Sequence, residues 1–353
     1  MAKIEKKAKI LLINLGRIEK LLIFNLLLNN FEIVGIISDL EIEKIAYFLE
    51  YDSNHGKFFP GKINYQKTKN NKKLILQDDQ KISIDIFSTK EATPAKLKEL
   101  KIDFVFDCSS NNLQAIQLNK YAKYSRKVII SANHEFVNKS EHKLAVFPFN
   151  HNKITEKDKI ILIPKIETII VSVLIKALQD KLKIESCYFE SLRGPCNKMN
   201  NLDYFSSAKG LTLGRSVFSN IIPDDFVSAN SSLKKLLKTE DINMEIYGER
   251  AFFPINTGSL LKIHFQIKKI HKTSEVNDLL NQEADAQIGF SLKPLVAKDI
   301  ESTQHYGVID KNLTQILSTK NHQTLILGIW FDHESSAAIS FFKTIQFLAG
   351  DKK

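Results

Sequence analysis

The feature that most constrains the fold lies near the start of the chain, where two apolar runs flank a segment with helical spacing. Residues 9–14 (KILLIN) and residues 31–38 are each typical of a buried strand. Residues 17–29 between them carry one apolar side, formed by Ile18, Leu21, Leu22 and Phe24. Two strands joined by a helix within about 30 residues predict a βαβ unit, and hence a parallel sheet.

The alternation of strand and helix continues beyond this unit. Residues 102–108 and 127–131 are further candidates for parallel strands, and residues 112–124 can form the crossover helix between them. This order is typical of a doubly wound α/β domain of the nucleotide-binding, Rossmann type. We therefore predict such a domain over residues 1–157.

A different pattern begins near residue 158. Strands are predicted at residues 159–164, 184–192 and 324–332, and helices at residues 167–181 and 274–284. Residues 259–268 alternate strictly between apolar and polar side chains, which predicts a strand with one exposed face. The pattern favours an α+β domain with a mixed sheet over residues 158–334, followed by a terminal helix within residues 335–353.

Bulk composition narrows the class of protein. The 353 residues are 43% hydrophobic and 25% charged, which suits a globular chain of two domains. No apolar run reaches the roughly 18 residues of a membrane-spanning helix, and the first residues lack the layout of a secretory signal. The three cysteines, Cys108, Cys187 and Cys196, show no metal-like spacing. We therefore expect a cytoplasmic protein without a metal site.

The formal net charge of +10 permits two interpretations. An excess of lysine can serve an acidic partner such as nucleic acid or a phosphorylated metabolite. It can equally reflect solvated lysines, and here the basic residues are spread along the sequence, with the densest cluster at residues 67–73 in a predicted loop. Because no nucleic-acid-binding motif accompanies them, we do not expect a nucleic-acid partner.

Three segments give a more specific indication. Residues 50–58 (EYDSNHGKF), 215–223 (RSVFSNIIP) and 330–334 (WFDHE) resemble signatures of the glyceraldehyde-3-phosphate dehydrogenase family. The resemblance implies that the first domain is of the NAD-binding type and that the terminal helix packs back on it. Members of that family form tetramers, so the resemblance also implies a homo-oligomer or pairing with an active homologue.

The dinucleotide turn departs from the family pattern. Where the family has Asn-Gly-Phe-Gly-Arg-Ile-Gly, this chain has Asn14-Leu-Gly-Arg-Ile-Glu19, one residue shorter and with a carboxylate in place of the last glycine. Glycines in this turn let backbone N–H groups approach the pyrophosphate, and a carboxylate repels it. We therefore expect the fold to be retained without bound NAD. The positions that the resemblance assigns to NAD are Gly16, Arg17, Ile18, Asp39, Lys90, Ser109, Ser131 and His333.

The catalytic positions depart further. The resemblance places Ile166 at the nucleophilic cysteine and Arg193 at the catalytic histidine. A guanidinium stays protonated, so Arg193 cannot act as a general base, although it can neutralise a carboxylate such as Glu167 or Glu190. Of the family's nucleophile segment only Thr168 is kept.

The phosphate-binding positions have changed as well. The family's Thr-Gly turn corresponds to Phe226 and Val227, and the arginine of its Phe-Arg-Val-Pro motif corresponds to Phe252. Thr168 and Arg215 remain as candidates for substrate contact.

Three hypotheses about function follow. The first is a member of the family without dehydrogenase activity, which serves as a binding or subunit-pairing protein. The second is an active NAD-dependent aldehyde dehydrogenase with altered chemistry, for which Cys196 is the candidate thiol because Arg193 lies three residues before it. The third is a basic nucleic-acid-binding protein.

Overall fold

The computed structural model describes residues 8–57, 59–69, 71–78, 80–107, 115–132, 137, 139, 141–196, 199–204, 211–268, 271–320 and 322–350. The chain divides into two compact units. The first comprises Met1–Phe147, His151–Ile163 and Ala338–Lys353, and the second comprises Pro148–Asn150 and Pro164–Ala337.

The first unit is built on a nine-stranded sheet with the order β3-β4-β5-β2-β1-β6-β7-β9-β8. Its strands are β1 (Lys9–Ile13), β2 (Glu32–Ile37), β3 (Lys62–Lys67), β4 (Lys72–Gln77), β5 (Lys81–Phe87), β6 (Ile102–Asp107), β7 (Ser125–Ser131), β8 (His142–Leu144) and β9 (Ile160–Ile163). Strands β5, β2, β1, β6, β7, β9 and β8 pair in parallel, whereas β3, β4 and β5 pair antiparallel. The predicted doubly wound parallel sheet is confirmed.

In the described part of this unit, four helices lie between the strands: α1 (Arg17–Leu28), α2 (Ile42–Glu50), α3 (Pro94–Glu99) and α4 (Ala115–Tyr124). The central strands are almost entirely buried, with Ile10, Leu11 and Leu12 at 0% exposure. Continuous apolar strands of this kind are expected where helices cover both faces of a parallel sheet. The first residues of the predicted helix 112–124, and Cys108 after β6, lie outside the described residues.

The predicted domain boundary at residues 157/158 needs correction. Strand β9 pairs in parallel with β7, with Val128 opposite Ile160 and Ser131 opposite Ile163, so it is a strand of the first sheet. The second unit begins after it, at Pro164. A short apolar strand has the same sequence pattern in either sheet, and only its hydrogen-bonding partner distinguishes the two.

The second unit carries an eight-stranded mixed sheet. Seven strands follow the order β11-β12-β10-β13-β17-β15-β14, and β16 pairs with β17. The strands are β10 (Ile184–Arg193), β11 (Ile222–Asp224), β12 (Glu245–Phe252), β13 (Ser259–Ile267), β14 (Ile288–Ser291), β15 (Gly307–Asp310), β16 (Gln315–Ser318) and β17 (Gln323–Phe331). The helices are α5 (Ile166–Leu182), α6 (Val227–Thr239) and α7 (Thr273–Glu283). The predicted α+β organisation is confirmed.

Strand β13 shows why this sheet has two unlike faces. Leu261, Ile263, Phe265 and Ile267 are all at 0% exposure, whereas the residues between them are partly exposed. Successive side chains of a strand point to opposite faces, so the strict alternation in the sequence gave the correct prediction.

The last helix, α8 (Ser335–Leu348), joins the first unit from Ala338 onward. The Phe341 ring centroid lies 4.6 Å from that of Phe106, and the Phe342 centroid lies 6.1 Å from that of Phe31. Both contacts are edge-to-face, the arrangement that aromatic pairs favour. The terminal helix thus completes the core of the first unit.

A buried lysine organises the segment after α2. The Lys20 ammonium, at 0% exposure, lies 3.0 Å from Asp52 Oδ2 and also donates to the carbonyls of Phe48 and Tyr51. Asp52 Oδ1 accepts from the backbone N–H groups of Asn54 and His55. Burial would raise the Asp52 pKa, but these hydrogen bonds and the Lys20 charge hold it below its usual value. Asp52, which belongs to the family-like segment 50–58, therefore has a role in the local structure.

Candidate functional site

The strand-to-helix turn of the first unit holds an internal carboxylate. Gly16 is the N-cap of α1, and its N–H donates to Glu19 Oε2 at 3.0 Å. Glu19 is 1% exposed. A Cβ added at Gly16 would lie 2.7 Å from the same oxygen, so a larger residue there would displace the Glu19 carboxylate. The Gly16 N–H, which would be available to an anion at a helix N-terminus, is occupied by Glu19.

The acidic residue after β2 is likewise engaged within the chain. Asp39 Oδ1 accepts from the Thr89 N–H at 2.8 Å, and Oδ2 accepts from the Thr89 hydroxyl at 2.7 Å. These two hydrogen bonds lower the Asp39 pKa, with a smaller contribution from the charge of Lys90. Thr89 thus binds both oxygens that a ribose would need.

The other positions that the resemblance assigned to NAD fall in different surroundings. Arg17 and Ile18 are partly exposed at the start of α1, and Ser131 is the last residue of β7. His333 belongs to the second unit, where it follows β17 and is 6% exposed. Ser109 lies outside the described residues.

A buried ion pair fills the predicted catalytic position in the second unit. Ile166 is the first residue of α5 and is 3% exposed. The next residue, Glu167, is at 0% exposure, and its Oε1 lies 3.2 Å from Arg193 Nη1 at the end of β10. The Ser191 hydroxyl donates to the same oxygen at 3.2 Å.

Strand geometry selects Glu167 as the partner of Arg193. Ser191 and Arg193 are two residues apart and share the buried face of β10, whereas Glu190 points to the other face. Of the two carboxylates considered from the sequence, Glu167 is the one that the structure pairs with Arg193.

The ion pair controls the protonation of its surroundings. Burial would raise the Glu167 pKa, but the guanidinium groups of Arg193 and Arg250 outweigh it, so the pKa lies below its usual value. Burial and the positive charge of Arg193 lower the pKa of His333. His333 is therefore neutral at pH 7, and Glu167 is ionised.

Two aromatic rings lie at the positions that the resemblance assigns to phosphate binding. Phe226 is 1% exposed and Phe252 is 2% exposed. The Arg250 guanidinium carbon lies 4.2 Å from the Phe226 ring centroid and 4.8 Å from that of Phe252. Arg250 also pairs with Asp224, whose Oδ2 lies 3.0 Å from Nε. The guanidinium is thus held between two aromatic rings and a carboxylate of its own unit.

The two candidate substrate contacts have partners within the protein. Thr168 is at 0% exposure, and its hydroxyl donates to the Ala229 carbonyl on α6 at 3.5 Å. Arg215 is exposed, and its Nε lies 2.9 Å from Asp203 Oδ2. Thr168 therefore contributes to helix packing, and Arg215 lies at the surface.

Cys196, the candidate thiol, is half-buried beside an apolar cluster. The cluster consists of Val217, Ile222 and Phe252. Cys187 is buried within β10, and burial raises the pKa of its thiol, so it behaves as a core residue.

Sequence reasoning missed four residues that shape these sites: Lys20, Thr89, Ser191 and Arg250. Lys20 could have been found from the sequence, because a lysine in the middle of an apolar helix segment needs a buried partner. The other three act through partners that are 24 to 50 residues away in the chain. No local pattern indicates such pairings.

A doubly wound sheet of dinucleotide-binding type and a mixed α+β sheet define a two-domain dehydrogenase architecture. Comparisons specify the class. Residues 8–115 match the family described as "Glyceraldehyde 3-phosphate dehydrogenase, NAD binding domain", and residues 167–333 match "Glyceraldehyde 3-phosphate dehydrogenase, C-terminal domain". The chain therefore belongs to the glyceraldehyde-3-phosphate dehydrogenase family.

Individual relatives extend over the whole chain at low identity. The chain is 25% identical to a glyceraldehyde-3-phosphate dehydrogenase of Clostridium acetobutylicum over 97% of its own length and 98% of that protein. It is 23% identical to one of Clostridium pasteurianum (97% and 98% covered) and 25% identical to one of Thermotoga maritima (95% and 96% covered).

Proposed function

We propose that this member of the family does not carry out the thiol-dependent oxidation of an aldehyde, and that it acts as a binding or subunit-pairing protein. The observation that carries the proposal is the buried Glu167–Arg193 pair beside Ile166. Ile166 has no group that can attack a carbonyl. Arg193 cannot accept a proton and is held by a carboxylate.

The surroundings of the pair support the same conclusion. A phosphate group needs donors that are free to bind it, and the Arg250 guanidinium is already held by Asp224, Phe226 and Phe252. The second hypothesis, an altered aldehyde dehydrogenase, has Cys196 as its candidate nucleophile. That thiol lies beside apolar side chains.

The turn after β1 does not fit the pyrophosphate of NAD in its present arrangement. The Gly16 N–H is bound by Glu19, and both Asp39 oxygens are bound by Thr89. A carboxylate at the helix N-terminus repels a second anion. We therefore propose that the first unit keeps the NAD-binding fold and binds NAD weakly or not at all.

The remaining proposals concern assembly and compartment. Family membership favours a homo-oligomer or pairing with an active homologue. Cys187 and Cys196 are both free thiols, in keeping with a reducing cytoplasm. Among the described helices, none is long and apolar enough to cross a membrane.

The test is an assay of the purified protein with glyceraldehyde 3-phosphate, NAD and phosphate. We expect no NADH production that depends on a protein thiol. The Cys196→Ser variant, purified in parallel, is the matched control for dehydrogenase carried over from the expression host. Equal traces in both preparations exclude Cys196 as their source. Activity that the wild type shows and Cys196→Ser lacks would instead establish the altered dehydrogenase.

Assembly is tested separately. Light scattering after size-exclusion chromatography gives the mass of the purified protein, and co-purification with an active family member tests pairing. A monomer that captures no active homologue would remove the subunit-pairing role.

A further inference from the structure

Basic residues that are dispersed in the sequence gather at one edge of the first unit. An open depression of about 640 Å³ is lined by Lys98, Lys101, Ile102, Lys123, Tyr124, Ser125, Arg126 and Lys159. Five of these eight residues are cationic, and no carboxylate is among the described residues that line the depression. We call this group of eight residues the basic depression.

The fold brings these residues together from separate elements. Lys98 and Lys123 lie in the last turns of α3 and α4, where a cation is favoured by the helix dipole. Arg126 and Lys159 lie at the beginnings of β7 and β9, where no such dipole explains them. Parallel strands start at the same edge of a sheet, so the topology of the first unit places the four side chains side by side.

The charges are only slightly neutralised within the chain. In the described part of the chain, Lys98, Lys101 and Lys123 have no carboxylate within ion-pair distance. Arg126 Nη1 is 3.9 Å from Asp103 Oδ1, and Lys159 Nζ donates to the Arg126 carbonyl at 3.4 Å. The five positive side chains around the depression repel one another, and a bound polyanion would relieve that repulsion.

The lining distinguishes between kinds of anionic partner. A protein interface needs apolar or aromatic side chains at its centre and is depleted in lysine. Here Ile102 is buried, and Lys123 Nζ lies 5.8 Å from the centroid of the half-buried Tyr124 ring. A base would compete with that ammonium for the ring, and Tyr124 is the one aromatic residue among the described residues that line the depression. The depression therefore suits phosphate groups themselves.

We propose that the basic depression binds condensed polyphosphate, a chain of phosphates joined by anhydride bonds. Neighbouring phosphates in such a chain share a bridging oxygen, whereas those of a nucleic acid are separated by a sugar. Five cations around one depression match the denser charge. The proposal is independent of the catalytic sites and goes beyond the proposed function.

The test uses sodium tripolyphosphate and a longer inorganic polyphosphate, titrated into the full-length protein by calorimetry. The variant Lys98→Gln/Lys123→Gln/Lys159→Gln removes three charges. Lys101 and Arg126 are left in place, Arg126 because it packs on Phe104. The control variant, Lys293→Gln/Lys311→Gln/Lys320→Gln, makes the same change in charge at exposed positions of the second unit.

We expect the three-site variant to bind the longer polyphosphate about tenfold more weakly or worse, with a salt dependence shallower by about 2 in log–log slope. The control variant should bind like the wild type. Equal weakening in both variants would assign the effect to net charge and overturn the site.

A single-stranded oligonucleotide of the same total charge supplies the remaining comparison. Binding of polyphosphate that is at least about tenfold tighter than the oligonucleotide at equal salt supports the assignment. Equal or tighter binding of the oligonucleotide would overturn it in favour of nucleic acid, and no binding of either by the wild type at low salt would remove the proposal.

Discussion

At the scale of single residues, Glu167 and Arg193 form a buried ion pair in the second unit. Both side chains are buried, and their charges offset each other at 3.2 Å. Glu167 Oε2 and Arg193 Nε have no hydrogen-bond partner among the described residues. Desolvating two charges is costly, and unmade hydrogen bonds add to that cost. Each charge therefore needs the other to remain buried, although the pair as a whole adds little net stability.

A double-mutant cycle tests this dependence. Glu167→Leu or Arg193→Met alone leaves one uncompensated buried charge, so each should lower the free energy of unfolding by about 3–5 kcal/mol. The double variant should return to within about 2 kcal/mol of the wild type or exceed it. Urea denaturation measures all four proteins, and a double variant as unstable as the worse single variant would contradict the expectation.

His333 gives the second prediction at this scale, a pH dependence. Its pKa in the folded state is lowered by burial and by Arg193, whereas in the unfolded chain it returns to about 6.5. As the pH falls below about 6.5, the unfolded state takes up the proton first, so stability is present above that pH and is lost below it.

The His333 imidazole changes the free energy of unfolding by at most about 1.4 kcal/mol per pH unit. His333→Asn should flatten the stability profile between about pH 7 and pH 5. The profile is measured by urea denaturation at several pH values. An unchanged slope in His333→Asn would show that the histidine does not titrate as described.

Helix α1 shows at the scale of an element how one substitution alters a binding motif. Glu19 stands in the first turn and caps the helix through the Gly16 N–H. A carboxylate in the first turn is favoured by the helix dipole, by about 0.3–1 kcal/mol at an exposed site. The Gly16 N–H that this carboxylate accepts is one of the donors that a helix N-terminus offers to an anion.

Removing that carboxylate should reopen the turn. Glu19→Ala is expected to tighten NAD binding by about tenfold or more, because a like charge next to the pyrophosphate is lost. Glu275→Ala is the matched control, since Glu275 caps α7 in the second unit through the Lys272 N–H at 3.0 Å. Calorimetry with NAD measures both variants. Equal affinities in Glu19→Ala and the wild type would exclude Glu19 as the obstacle.

The whole molecule depends on its last helix returning to the first unit. Helix α8 from Ala338 onward belongs to that unit, although about 170 residues of the second unit precede it in the chain. Phe341 is 3% exposed and packs against Phe106. The first unit is therefore incomplete until the end of the chain is present.

Replacing one large side chain of α8 by alanine tests this dependence. Phe341→Ala should lower the free energy of unfolding by about 3–5 kcal/mol, because it leaves a cavity in the core of the first unit. Hydrogen exchange should accelerate at β1 and β6 and change less in β13. The control is Phe218→Ala, at a position 59% exposed, and should be nearly neutral. Uniform acceleration in both units would contradict the assignment of α8 to the first.

Much of the fold could be predicted because its signals are local. The apolar runs of β1 and β2, the alternation along β13 and the helical spacing of α5 each depend on residues within one element. The hairpin strands β3 and β4 and the helix α3 were missed because they are short and carry mixed polar and apolar residues. Helix α2 was missed although its buried residues, Ile42, Ile45, Ala46 and Leu49, have helical spacing. The sheet to which β9 belongs was predicted wrongly for the reason given above.

The sequence by itself determined that Ile166 cannot act as a nucleophile and that Arg193 cannot act as a base, because side-chain identity alone excludes both roles. The tertiary structure decided what these positions do instead. In the folded chain Arg193 pairs with Glu167, and Glu19 accepts a hydrogen bond from the Gly16 N–H. Lys98, Lys123 and Lys159 lie around one depression. The physical reason is that reactivity belongs to a side chain, whereas burial and charge pairing depend on contacts between residues far apart in the chain.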